Sequence, residues 1–254
     1  MTHLILSPRH TPDSNTLWKA AVDKGWTINR LYKYRVENNI ADSNAKIYGE
    51  NLFVEVIAQQ LKIALLATPP DWLALLPYEY LQRKVQFMTL KDCRDLNSPT
   101  FIKPASGKLF DAKIYNSGAD LPSPDAQDDT TPVLTSEPVK WKKEFRCFIK
   151  QRELCTISAY SETSELNLQA SEAQLGEAET FCKALIDDEK ILLPPSTVID
   201  IGQIEGREWA VVEANPTFAS GIYNCDPQQV LNCLQSACVP ASKLTPDQQQ
   251  WQVN

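Results

Sequence analysis

Residues 198–216 constrain this chain more than any other stretch. They read Val-Ile-Asp200-Ile-Gly-Gln-Ile-Glu-Gly-Arg-Glu-Trp-Ala-Val-Val-Glu213-Ala-Asn215-Pro. Two apolar runs of strand length carry oxygen-bearing side chains at their ends and are joined by a short polar turn. Residues two apart in a strand share a face, so Glu213 and Asn215 point the same way. A four-residue loop, Glu205–Glu208, sets Ile204 against Trp209 and Asp200 against Glu213. A two-residue loop shifts the pairing by two and keeps the face. Either way three hard oxygen donors converge, Asp200, Glu213 and Asn215. That donor set suits magnesium holding phosphate oxygens. A polar-ended hairpin with no chemical role is the alternative.

Composition limits the rest. The chain of 254 residues is long enough for one large domain or two small ones. Its formal net charge of −7 argues against non-specific nucleic-acid binding. Residues 1–9 hold only the apolar run Leu4-Ile5-Leu6, broken by Pro8, which does not make a secretory signal. No apolar stretch reaches the roughly 18 residues of a membrane span. Seven cysteines, none in a Cys-x-x-Cys pair, are expected to be free thiols of a reducing, cytoplasmic protein. The two histidines, His3 and His10, lie close together near the N-terminus, so a His-based triad or zinc site is not expected. Proton transfer, if any, falls to carboxylates, Lys, Tyr or the substrate itself.

Residues 1–80 alternate strand and helix. Leu4–Ser7 and Thr27–Tyr32 read as strands, and Lys62–Leu66 as a third. Ser14–Lys24 reads as a helix capped by Ser14, with Leu17, Trp18, Ala21 and Val22 on one face. Gly49–Leu61 reads as another, with Leu52, Phe53, Val56, Ile57 and Gln60 at helical spacing. This predicts a small parallel sheet without a dinucleotide fingerprint. Beyond residue 80, Phe101–Pro104 is a short strand ending in Lys103, and Asn116–Pro132 reads as a mobile loop. Glu144–Lys150 alternates cleanly, and Leu154–Tyr160 is its hairpin partner. Ser171–Asp187 is a helix with a Ser171/Gln174 capping box, and Asp226-Pro227 opens another. The last twelve or so residues are polar and expected to fray.

The chemical candidates upstream of the hairpin are a strand-end lysine, Lys103, an extended segment Ser136-Glu137-Pro138-Val139, and Glu144-x-Arg146. An extended segment can read an adenine edge through its backbone. Glu144 can hold ribose hydroxyls, and Arg146, on the same face, can grip phosphate bidentately. The order strand-Lys, extended hinge, Glu-x-Arg strand, helix, Asp strand, Glu-x-Asn strand resembles the ATP-grasp superfamily. Lys142–Ile149 resembles a stretch of the ribosomal-protein glutamate ligases. Glu213-Ala-Asn215-Pro216 resembles the metal motif shared by those ligases and the D-alanine–D-alanine ligases. The run from Phe101 to Pro227, with Ser220-Gly221 and Asp226-Pro227, is similar to a bacterial and phage branch of the superfamily.

The resemblance implies an α+β, ATP-grasp fold, two α+β subdomains sandwiching ATP, over residues 81–254. A small α/β domain over residues 1–80 precedes it. It implies that Lys103 contacts the α- and β-phosphates, and that Arg83, with Lys84 as the competing choice, is the first basic phosphate contact. Glu137, Pro138 and Val139 would form the adenine hinge, and Glu144 would bind ribose. Arg146 would face the γ-phosphate or an acyl phosphate. Asp200, Glu213 and Asn215 would hold one or two magnesium ions. The implied activity is an ATP-dependent carboxylate–amine or carboxylate–thiol ligase that forms an acyl phosphate and releases ADP and phosphate. Its partners would be small-molecule, peptide or protein carboxylates and amines. Two rival readings are a catalytically inactive nucleotide-binding module and a nucleic-acid ligase working through an adenylate. The lid after Lys103 is short in glycine, holding only Gly107. Ser161–Cys182 holds five glutamates and no Lys or Arg, which favours a cationic acceptor. A solvated acidic helix face is the other reading of that segment.

Overall fold

The structure, a computed structural model, describes residues 2–36, 44–160 and 170–253. In chain order its strands and helices are β1 (His3–Leu6), α1 (Pro12–Asp23), β2 (Thr27–Arg30), β3 (Ala45–Tyr48), α2 (Asn51–Leu61), β4 (Ile63–Leu65), α3 (Tyr78–Leu81), β5 (Val85–Thr89), β6 (Thr100–Pro104), β7 (Lys113–Tyr115), β8 (Pro132–Ser136), β9 (Trp141–Lys150), β10 (Glu153–Tyr160), α4 (Glu172–Asp187), β11 (Ser196–Ile204), β12 (Trp209–Asn215), α5 (Pro227–Ala237), β13 (Cys238–Pro240) and α6 (Pro246–Gln249). They divide into two compact units. The first holds Met1–Pro69, Lys143–Ile201 and Glu213–Asn254; the second holds Pro70–Lys142 and Gly202–Val212.

In the first unit β1, β2 and β3 form a parallel sheet in the order β2-β1-β3. Leu4, Ile5 and Leu6 are fully buried, as a central parallel strand covered on both faces requires. The expected parallel sheet is therefore present, but its third strand is Ala45–Tyr48. The expected strand at 62–66 instead becomes β4, which pairs antiparallel with β13. Helix α1 starts earlier than expected. Thr11 is the cap, Pro12 fills the first turn, and Ser14 is the reciprocal member of a capping box with Thr11. Its buried face is Leu17, Ala20 and Ala21, while Trp18 and Val22 remain 46% and 55% exposed. In α2 the buried stripe is Phe53, Val54, Ile57, Ala58 and Leu61 rather than the one expected, and Leu52 is exposed. Gln60 turns outward, where its amide accepts from Val36 N–H and donates to Tyr34 O.

A four-stranded sheet, β10-β9-β11-β12, carries the Glu-x-Arg and Glu-x-Asn sequences. β9 and β10 pair antiparallel as expected, with Glu144 opposite Tyr160 and Arg146 opposite Ser158. Helix α4 has the Ser171/Gln174 capping box, and α5 is capped by Asp226 with Pro227 in its first turn. The chain end departs from expectation. α6 turns it back, Trp251 is buried, Ala67 N–H donates to Trp251 O, and Val253 N–H donates to Leu65 O.

The second unit is an antiparallel sheet in the order β5-β8-β6-β7, over a core of Leu90, Cys93, Ile102, Tyr115, Leu121 and Val133. The segment 116–132 is irregular yet anchored. Arg94 grips Asp129 through Nε and Nη2 at 2.9 and 2.8 Å and donates to Pro122 O. Gly118 lies against the Arg94 carbonyl so closely that an added Cβ would sit 1.9 Å from it. No helix among the described residues is long and apolar enough to cross a membrane.

The buried chain end predicts that Trp251→Ala lowers stability by about 3 kcal/mol, the usual cost of emptying an aromatic site. Urea unfolding would read the loss; an unchanged midpoint would mean that the C-terminal segment contributes nothing to the fold.

Candidate functional site

The two rows of residues singled out in the sequence meet on the β9–β11–β12 sheet. Asp200 is fully buried in β11 and Arg146 is buried in β9. Arg146 Nε donates to Asp200 Oδ1 at 2.8 Å and Nη2 to Oδ2 at 2.6 Å. This is the fork-to-fork geometry that a guanidinium favours. The third arm, Nη1, donates to Gly221 O at 3.0 Å. From β12, Asn215 Nδ2 donates to Glu213 Oε1 at 2.8 Å and to Asp200 Oδ2 at 3.2 Å. The turn is tighter than a four-residue loop. Arg207 N–H donates to Ile204 O and Ile204 N–H donates to Glu208 O, with Gly206 at φ 77°. Asp200, Glu213 and Asn215 are nevertheless brought together as the strand periodicity demands.

Electrostatics follow from burial. Desolvation pushes the Asp200 carboxyl up to about 6, against the pull of Arg146. Burial alone would lower Arg146, but the hydrogen bonds and charge of Asp200 outweigh it and hold the guanidinium charged. Two residues that the sequence did not single out complete the cluster. Tyr160 and Tyr223 stack at 4.8 Å, with the Arg146 guanidinium 5.2 and 4.8 Å from their ring centroids. Tyr160 donates to Glu144 Oε2 at 3.4 Å, which ties the Glu144 end of β9 into the same cluster. Tyr223 holds φ 47°, a left-handed backbone that a non-glycine residue adopts at a cost of about 1–3 kcal/mol. Strand pairing could have exposed Tyr160, which falls opposite Glu144. Nothing local to Tyr223 marks it. Asp13, at the start of α1, accepts from Ile222 N–H at 3.1 Å and so braces the Gly221 segment. Cys225 is not a nucleophile here. Burial pushes its thiol up to about 11, and it donates to Ser158 Oγ.

The remaining candidates lie in the second unit. Lys103 is half-buried in β6, opposite Leu134 of β8. Arg83 is buried, with Nη1 donating to Leu81 O and Val211 O, Nη2 donating to Val212 O, and its guanidinium 4.9 Å from the Trp141 ring centroid. Its donors are thus engaged with backbone carbonyls, whereas Lys84 is exposed. Glu137 N–H donates to Lys84 O, and the Glu137 carboxylate pairs with Arg207, whose hydrogen bond holds it below the usual carboxylate range. Arg207 is a partner that the sequence reading missed. Pro138 and Val139 continue from β8 outside any strand. Among the described residues no three or more His, Cys, Asp or Glu side chains group where they could hold a metal ion. Any third donor beside Asp200 and Glu213 is therefore the Asn215 carboxamide. The set of two carboxylates and one carboxamide fits a hard cation. Glu162 and Glu165, two of the acidic residues noted in 161–182, lie outside the described residues.

A family-level sequence match covers residues 80–233 and is described as an ATP-grasp domain, the second family of its clade. The chain belongs to that family. The fold is the ATP-grasp fold, as the sequence motifs implied. D-alanine–D-alanine ligase from Bacillus anthracis, complexed with ATP, is 14% identical with a TM-score of 0.53, covering 93% of this chain and 97% of that one. N5-carboxyaminoimidazole synthase from Aspergillus clavatus, in a complex containing ADP, is 11% identical with a TM-score of 0.56, covering 96% and 79%. L-amino acid ligase from Bacillus licheniformis is 13% identical with a TM-score of 0.55, covering 96% and 76%. No curated protein matches the chain in sequence.

The pair geometry predicts that Asp200→Ala destabilises the protein by about 3–5 kcal/mol, because it leaves Arg146 buried without its counter-ion. Asp200→Ala together with Arg146→Met should recover most of that loss. Chemical denaturation of the two variants checks this. Equal instability in both would mean that the pair is not the source.

Proposed function

We propose that the protein is an ATP-dependent ligase joining a carboxylate to an amine, or to a thiol. The observation that carries this reading is the cluster of Glu213, Asn215, Asp200 and Arg146 on one sheet of an ATP-grasp family member. ATP would transfer its γ-phosphoryl group to the substrate carboxylate. The amine or thiol would then attack the acyl carbon, and phosphate would leave. Such a reaction needs positioning and charge neutralisation rather than a side-chain nucleophile. That accords with the protonated, buried state of Cys225.

Each residue has a role in this reading. Lys103 would hold the α- and β-phosphates. Lys84 would be the first basic phosphate contact, because Arg83 is engaged with the carbonyls of Val211 and Val212. Backbone groups of Glu137, Pro138 and Val139 would read adenine, with Arg207 holding the Glu137 side chain in place. Glu144 would accept from ribose hydroxyls. Arg146, held charged by Asp200, would stabilise negative charge on the phosphoryl oxygens. Magnesium, when bound, supplies Lewis-acid polarisation of phosphate oxygens. Glu213, Asn215 and Asp200 would hold it. In this structure the Asn215 amide nitrogen faces both carboxylates, so it would have to turn its oxygen inward. Residues 1–80 would form the domain that shapes the acceptor side, with 81–254 forming the ATP-grasp domain. A reducing cytoplasm would suit the seven free thiols.

The test is product analysis with ATP, magnesium and mixtures of amino acids and small amines. ADP and phosphate should appear only when a carboxylate is supplied. Lys103→Ala should cut turnover by about 10²-fold, the usual effect of removing one charge-stabilising group. AMP and pyrophosphate would point to adenylate chemistry instead. ATP binding without any ADP release would favour an inactive nucleotide-binding module.

A further inference from the structure

A cavity of about 370 Å³ opens beside the parallel sheet, away from the residues discussed above, lined by Asn44, Lys46, Gln235, Cys238, Val239, Pro240 and Lys243. Lys46 is a charged residue on β3 and is only 5% exposed. Its Nζ donates to Gln235 O at 3.2 Å and to Cys238 O at 2.7 Å, at the carboxyl end of α5. Those carbonyls belong to a helix end that has no further intrahelical donors, and a cation there opposes the helix dipole. An ammonium has three protons, and these bonds take two of them. Burial also lowers the ammonium's pKa, and the nearby positive charge of Lys243 adds to that effect. The cavity therefore holds two mutually repelling cations. Among the described residues its lining contains no carboxylate, although the chain as a whole has a net charge of −7.

We propose that this cavity is a binding site for a compact phosphate-bearing anion, held by the Lys46 and Lys243 ammonium groups. A phosphate group near neutral pH carries about −1.5 to −2 charge, which balances two lysines. Lysine binds it as a point charge and needs no fork geometry. The Gln235 side chain supplies a neutral amide donor, and Val239 and Pro240 form an apolar wall on which an esterified group could rest. The volume admits a phosphate with a small organic group but not a bulky ligand. The site is independent of the ligase reading, because none of its residues is among those assigned to nucleotide or metal.

The experiment is calorimetric titration of the full-length protein with inorganic phosphate, with chloride holding ionic strength constant, followed by glycerol phosphate. Saturable binding is expected. Tighter binding of the ester would mark a phosphomonoester ligand, and tighter binding of the inorganic ion would mark free phosphate. Lys243→Ala, a surface change that leaves α5 capped, should weaken binding about fivefold, the value of one accessible charge pair. Lys243→Glu should weaken it further. Lys103→Ala should bind phosphate as the parent does, which separates this cavity from the proposed ATP phosphates. No saturable binding, an unchanged affinity in Lys243→Glu, or loss of binding in Lys103→Ala would overturn the proposal.

Discussion

The Arg146–Asp200 pair is the interaction on which the rest of the site depends. Asp200 is fully buried, and a carboxylate there is tolerable only with a cation held against both oxygens. Once fixed, Arg146 orders its neighbours. Its third arm ties down Gly221, its faces meet Tyr160 and Tyr223, and Asp200 gives Asn215 an anchor that also reaches Glu213. Replacing a buried pair by packed apolar groups is often neutral or stabilising, so stability does not explain its presence. The left-handed backbone of Tyr223, costly in isolation, sits in the same cluster. A preorganised charge site accounts for both features.

Much of this cluster was legible because strand periodicity is strict. Glu213 and Asn215 had to share a face, and Glu144 and Arg146 likewise, whatever the turn length. The Ser171/Gln174 box and the Asp226-Pro227 start were equally legible, because capping is local chemistry. The start of α1 was misplaced by three residues because Ser14, read as the cap, is in fact the inner member of a box begun by Thr11.

The misses share one cause, which is distance along the chain. β3 contains a lysine that reads as exposed, yet its ammonium ends on carbonyls of Gln235 and Cys238. The C-terminal segment is polar, but Trp251 finds a buried place and its backbone joins residues 65–67. Trp18 and Val22 fit a helical stripe that the sheet does not use. The same cause separates the basic candidates. Arg146 has its partner at a position that the sequence already marked, whereas Arg83 is claimed by carbonyls of β12 that no side-chain pattern advertises.

The central claim is that Glu213 and Asn215, anchored on the Arg146–Asp200 pair, hold a metal–nucleotide complex. The most direct measurement is calorimetric titration of ATP with and without magnesium, on the parent protein and on Glu213→Ala with Asn215→Ala. The account predicts magnesium-dependent ATP binding by the parent, and loss of that dependence in a double variant whose fold is intact. Equal magnesium dependence in both proteins, or no ATP binding by the folded parent, would contradict it.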